Sequence, residues 1–142
     1  MEKNLLKKDS SKSVQLSSNY RESKRTTKFT SLYDANSGNT VVMLNVERAT
    51  VYEAKEFQDY IASIISDNKS KIIVDLENVY FIDSVFFGTL IKMLKLTSKE
   101  GGYIKLIVDA NSRPELLSIG NFDGIFEIHS TLFEAVSGLK AS

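Results

Sequence analysis

The chain has no cysteine and no tryptophan among its 142 residues, a single proline (Pro114) and a single histidine (His129). Without cysteine there is no disulfide scaffold, no thiol nucleophile and no thiolate metal site. One histidine leaves a transition metal short of its commonest remaining ligand, so neither a metal nor another cofactor is expected. An excess of charge of one sign is missing too: 18 Lys and Arg balance 18 Asp and Glu. Net charge therefore points to neither nucleic acid nor an anionic membrane as partner. No apolar run approaches the roughly 18–20 residues that cross a bilayer. Leu5-Leu6 is followed at once by Lys7-Lys8, where a secretory signal needs an apolar core. The expectation is a soluble, cytoplasmic protein with no direct membrane insertion.

The zero net charge hides an asymmetry. Residues 1–28 carry eight basic and three acidic side chains, a net of +5, and the remaining 114 residues carry a net of −5. The basic segment is rich in Ser, Lys, Asn and Thr, with apolar residues only at Leu5, Leu6, Val14 and Leu16. Such composition buries too little to offset its ordering entropy, so residues 1–28 read as a flexible extension able to lie on the acidic domain or reach a partner.

Ordered structure is expected from about Phe29, giving a domain over residues 29–142. Strands predicted at 28–34 and 40–46 flank Asn36-Ser37-Gly38-Asn39, which has hairpin-turn chemistry. Thr50 and Glu53 have capping-box spacing, and Ala54, Phe57, Ile61, Ile64 and Ile65 form one helical face after them. A strand at 72–76 precedes a helix starting at Ser84 and ended by Gly101-Gly102. A strand at 103–108, a helix at 112–119 opened by Pro114, a strand at 125–128 and a helix from Thr131 to about Leu139 complete the order. The fold class is α/β: one domain with a mixed sheet of about four to five strands, a leading hairpin and about four covering helices.

No enzymatic constellation stands out. Asp75, Glu77 and Asp83 are close in sequence, but strand alternation and the turn scatter their directions. Gly101-Gly102 lacks the lysine and spacing of a phosphate loop. The serine at the helix start, Ser84, has no evident general base. Tyr52, Tyr60, Tyr80 and Tyr103 read as core-edge residues and not as a base-stacking platform, and His129 reads as structural or surface. No nucleic acid partner and no catalysis are expected.

The distinctive stretch is Lys71 to Leu90, KIIVDLENVYFIDSVFFGTL. A strand, a Glu77-Asn78 turn and a second apolar patch (Val79 to Ile82) lead to the pair Asp83-Ser84 at a helix mouth, where backbone N–H groups are unpaired. This order resembles the central motif of the STAS domain, the family that includes bacterial anti-sigma factor antagonists. The motif there usually reads Asp-Ser-Ser-Gly-Leu-Gly; here it is Asp83, Ser84, Val85, Phe86, Phe87, Gly88. The resemblance extends to Val51-Tyr52-Glu53-Ala54, with Thr50 where the family often has Asp, and to Gly101 through Leu106. It continues through Leu116 to Asp123, Phe126-Glu127-Ile128 and Glu134-Ala135.

The resemblance implies a STAS-like fold whose work is partner switching. The family's unphosphorylated domain holds an anti-sigma factor, itself a serine kinase, and phosphorylation of the motif's second serine ends the grip. An added phosphate brings about −1.5 to −2 charges, enough to break an interface. Val85 stands at that position and has no hydroxyl. On a helical wheel Lys92, Lys95 and Lys99 mark a solvent face with Gly88 at its centre, Val85 and Ser84 each roughly 50° away, and Phe87, Leu90 and Leu94 pointing inward. Phe86, Met93 and Thr97 lie beside that inward set.

The expected partner-binding surface is therefore Thr50, Asp83, Ser84, Val85, Phe86 and Gly88, and the partner an anti-sigma factor or serine-kinase-like regulator. Ser84 is the substitute phosphoacceptor that remains, although a serine at a helix start commonly caps it, as Asp83 also could. The alternative is a non-catalytic STAS subunit of a transporter-associated or sensory scaffold complex.

Overall fold

The computed structural model describes residues 20–109, 111, 116 and 122–137. Six strands form one mixed sheet: β1 (Tyr20–Arg25), β2 (Phe29–Asp34), β3 (Asn39–Leu44), β5 (Lys71–Asp75), β7 (Tyr103–Ile107) and β8 (Glu127–His129), side by side in that order. β1, β2 and β3 pair antiparallel; β3, β5, β7 and β8 pair parallel. A separate two-stranded parallel ladder joins β4 (Arg48–Ala49) to β6 (Phe81–Ile82). The described helices are α1 (Val51–Ser66), α2 (Ser84–Lys99), the single turn α3 (Phe122–Ile125) and α4 (Leu132–Ser137). The predicted helix at 112–119 lies outside the described residues except for Leu116, which is buried, as does the end of the last predicted helix beyond Ser137.

The leading hairpin forms where its turn chemistry places it. Gly38 has φ +79°, a conformation that costs glycine little. Asp34 organises the turn, its carboxylate accepting from Asn36 N at 3.1 Å and from the Ser37 hydroxyl at 2.7 Å. Its strands are rich in β-branched and apolar residues and are buried on both faces.

Three elements differ from the sequence-based expectation. The main sheet has six strands where four to five are predicted. The additional edge strand β1 falls within the segment read as flexible, so order begins at or before Tyr20 and not near Phe29. Its sequence, YRESKR, has no apolar alternation to signal a strand; it is held by the β2 ladder, by Ser23 Oγ to Ser31 Oγ at 3.1 Å and by the Tyr60 hydroxyl donating to Lys24 O at 2.9 Å. The register slips by one residue between Glu22 and Lys24, a bulge that bends the strand. Near the C-terminus, Phe126 N bonds Phe122 O at 2.8 Å, closing a helical turn where the 125–128 strand is predicted, and the strand begins at Glu127.

The sheet separates two apolar clusters. On one face, Phe29, Val42, Leu44, Ile72, Val74, Ile104 and Leu106 pack against α1 and α2 through Phe57, Ile61, Phe86 and Leu90. Phe29–Phe57 and Phe57–Phe86 ring centroids lie 5.6 and 4.9 Å apart. On the other face, Leu32, Val41, Met43, Ile73 and Ile107 form a second cluster with Leu132 and Ala135 of α4. At its β8 edge His129 is buried; its Nε2 lies 2.6 Å from Glu127 Oε2, and that hydrogen bond, with Lys105 nearby, holds the Glu127 carboxyl below its usual range.

Tyr60 gives the fold a measurable alkaline limit. The residue is 4% exposed, and desolvation pushes the phenol up to about 12 from the ordinary 10.0. The neutral form is the one the fold accommodates, so this contribution is complete below pH 10 and falls as pH rises from 10 through 12. The loss is roughly 2–3 kcal/mol. Phenolate absorbance should show Tyr60 ionising near pH 12, stability to urea should fall as pH rises above 10, and Tyr60→Phe should remove that titration. A Tyr60 midpoint near 10 would contradict the packing.

Candidate functional site

The β4–β6 ladder sets the site's geometry. Each of these two-residue strands runs directly into a helix, β4 through Thr50 into α1 and β6 through Asp83 into α2. Because the strands pair in parallel register, Arg48 opposite Phe81 and Ala49 opposite Ile82, the two helices start side by side. Tyr80 N to Glu47 O (2.9 Å) and Asp83 N to Ala49 O (3.1 Å) extend the pairing at both ends.

Both helix starts are capped, and one residue serves both. At α1 the capping box forms as its spacing predicts: the Thr50 hydroxyl accepts from Tyr52 N at 3.3 Å, and Glu53 Oε1 accepts from Thr50 N at 2.8 Å. At α2 the cap is Asp83, whose Oδ1 accepts from Phe86 N at 2.9 Å. Its second oxygen, Oδ2, accepts from Val51 N of α1, also at 2.9 Å. A single carboxylate thus satisfies a first-turn N–H of each helix, where the aligned peptide dipoles favour negative charge. Ser84 takes no part in capping: its side chain is exposed, and its hydroxyl has no hydrogen-bond partner among the described residues.

The six residues expected at the partner surface divide accordingly. Thr50 and Asp83 are partly buried and hold the helix starts, whereas Ser84, Val85 and Gly88 are exposed, Val85 at 47%. At Gly88 a Cβ would meet nothing within 4 Å. Phe86 is not at the surface. It is 0% exposed and packs on Phe57, so it is removed from the contact set. The buried face of α2 is Phe86, Phe87, Leu90, Met93 and Thr97, and Leu94 lies at its margin, partly buried.

Further exposed groups at this end are not in the sequence-derived set. Tyr52 is 85% exposed in the first turn of α1, Val51 and Tyr80 are also exposed, and the Arg48 guanidinium sits 4.2 Å over the Phe81 ring. Between them lies an open groove of about 450 Å³, with Thr50 to Glu53 on one side, Arg48 and Phe81 on the other, and Asp83 contributing to the lining. Tyr52 corrects its reading as a core-edge residue. The helical repeat could have found it, since it lies about 180° from the Ala54–Phe57–Ile61 face. Tyr80, Phe81 and Arg48 carry no such periodic signal. Among the described residues no His, Asp and Glu side chains cluster to hold a metal ion, and no helix is long and apolar enough to cross a membrane.

A sequence model of the STAS domain matches residues 34–135. The chain belongs to the STAS family. A Thermotoga neapolitana protein whose name places it among the anti-sigma factor antagonists is 35% identical over 98 residues, covering 68% of this chain and 82% of its own length. The crystal structure of a Thermotoga maritima protein named in the same way is 29% identical, spans 69% of this chain and 86% of that one, and superposes with a TM-score of 0.59. An anti-sigma factor antagonist from Mycobacterium paratuberculosis shares the fold at 21% identity and a TM-score of 0.63, covering 78% of this chain and 92% of its own. The described strand β1 precedes the matched region.

Proposed function

We propose that this STAS domain is a regulatory protein-binding module of the anti-sigma factor antagonist kind, holding its partner at the paired starts of α1 and α2. The proposal includes a grip without the usual phosphorylation release, because Val85 stands where the family's motif has its second serine. It is carried by Val85: an apolar side chain, 47% exposed, in the first turn of α2, at the end of the molecule where Val51, Tyr52 and Tyr80 are also exposed. Burial of a valine contributes roughly 1.5–3 kcal/mol, a useful share of a small interface. Among the described residues no side chains cluster to hold a metal ion, and the carboxylates lining the groove, Glu53 and Asp83, are engaged in capping the helix starts, so binding is the chemistry the site supports best.

The test uses wild-type and Val85→Asp baits for capture from the source cell, followed by titration of the captured protein. A soluble anti-sigma factor or kinase-like regulator is expected with the wild-type bait. Val85→Asp should bind it at least tenfold more weakly, because a carboxylate must be desolvated where a valine was accommodated. Gly88→Ala adds a methyl to the same surface and raises helix propensity, so it should stabilise the free domain by about 1 kcal/mol. Unchanged affinity with Val85→Asp would remove this surface from the interface. Release of the partner by phosphorylation at Ser84 would reject the constitutive grip, and co-purification with a membrane complex would favour a scaffold role.

A further inference from the structure

The sixteen residues of α2 include three lysines and no acid. Lys92, Lys95 and Lys99 recur at i, i+3 and i+7, so they share one face, and all three are exposed. Residues 29–142 hold ten basic side chains against fifteen acidic ones, and this one helix face gathers three of the ten. The neighbouring helix α1 treats its lysine differently: Lys55 pairs with Asp59 one turn on, at 3.1 Å. None of the three α2 lysines forms a salt bridge among the described residues. The Lys92 ammonium meets a neutral group instead, donating to Gln58 Oε1 at 3.4 Å. Attraction to the helix dipole accounts for Lys99 in the last turn, but not for Lys92 near the middle. Lys95 and Lys99, at i and i+4, repel each other.

The face is not only charged. Among the lysines, Met93 and Leu96 line an open groove of about 250 Å³. Met93 is buried, and Leu96 is partly buried against the core beneath α1 and α2. Lys92 to Lys99 spans about 10 Å along the helix axis, or two turns. An apolar floor bordered by three cations fits an acidic segment with an aliphatic anchor. An extended polyanion fits less well. A membrane surface or a nucleic acid would also meet the rest of the domain, and residues 29–142 carry a net of −5 even with the three lysines included. Phosphate groups, moreover, make no use of an aliphatic floor.

We propose that the face of Lys92, Lys95 and Lys99 on α2 docks a short acidic segment of a protein partner, its carboxylates on the lysines and an aliphatic side chain over Leu96. The face begins two turns beyond Val85 and is separate from the groove at the helix starts. The proposal does not depend on the function assigned to that groove.

The probe is a short helical peptide in which glutamates flank two leucines, titrated into the isotope-labelled full chain and followed by amide chemical shifts. Shifts should concentrate on residues 92–99, and affinity should fall as salt is added. Replacing all three lysines by glutamine (K92Q, K95Q and K99Q together) should weaken binding at least on the order of tenfold, with circular dichroism monitoring the fold. A chain matched in net charge, with Lys3→Gln, Lys7→Gln and Lys8→Gln, should bind as the native chain does. Serine in place of the peptide's leucines should also weaken binding. Shifts confined to other surfaces, no binding, or an equal loss in the two triple variants would overturn the proposal, the last by assigning the effect to bulk charge. Tighter binding of phosphatidylserine vesicles or duplex DNA than of the peptide, lost in the α2 triple variant, would also overturn it. Should that variant fail to fold, Lys95→Gln alone should weaken the peptide about threefold, and an unchanged affinity would overturn the proposal.

Discussion

Phe86→Ala should unfold the domain at markedly lower urea, losing about 3–5 kcal/mol, whereas its neighbour Val85→Ala should shift stability by no more than about 0.5 kcal/mol. The contrast follows from a rotation of about 100° between adjacent helical residues. Phe86 is fully buried with its ring 4.9 Å from Phe57, which in turn meets Phe29 of β2. Truncation leaves a cavity at the contact of both helices with the sheet, and close packing around it limits collapse. Val85 already has half its surface in water, so little burial is lost. Equilibrium denaturation with an unchanged urea dependence would measure both. Equal costs for the two truncations would mean that α2 is rotated from the orientation described. The result matters for function, because it separates the motif residue that builds the fold from the one available to a partner.

Asp83→Ala should cost about 2–4 kcal/mol, more than the ~1 kcal/mol typical of a lost N-cap. Two charge-assisted hydrogen bonds disappear together, to Phe86 N and to Val51 N, and two helix starts lose a compensating negative charge. Asn at position 83 still caps α2 but turns an amide N–H toward one of the two donors, so Asp83→Asn should recover only part of the loss. Hydrogen exchange gives the more specific readout. The amides of Val51 and Phe86 should lose protection together in Asp83→Ala, although 35 residues separate them in sequence. Faster exchange at Phe86 alone would show that α1 has an independent cap sufficient for its first turn.

The legibility of the fold followed the range of the forces involved. Thr50 and Glu53, three residues apart, announced α1 correctly because a capping box is a local device. The Asn36–Asn39 turn and the apolar strands around it were equally visible, since turn chemistry and burial leave their mark on neighbouring residues. β1 was not visible: its polar side chains carry no pattern, and its order comes from ladder bonds to β2 and from the Tyr60 hydroxyl, 36 residues away. β4 and β6 are too short for any period, yet their pairing aligns α1 with α2. At the site, the helical repeat correctly exposed Val85 and Gly88. It also placed Phe86 beside the core, so its inclusion among contact residues followed the family motif and not the wheel. The second bond of Asp83, to Val51, joins residues 32 apart, and no local pattern encodes it.

The bulge and charges of β1 also bear on how the molecule behaves in a crowd of its own copies. Among the described residues β1 is the terminal strand of the sheet, and the outer backbone groups of such a strand are a template on which another chain could build. Arg21, Lys24 and Arg25 crowd this six-residue strand with positive charge, and the register slip between Glu22 and Lys24 interrupts the straight ladder a newcomer would need. Two such edges repel each other and do not match in pitch. The same polar sequence that hid the strand from pattern reading therefore guards the sheet against lateral growth, keeping an exposed margin from becoming a seed for aggregation.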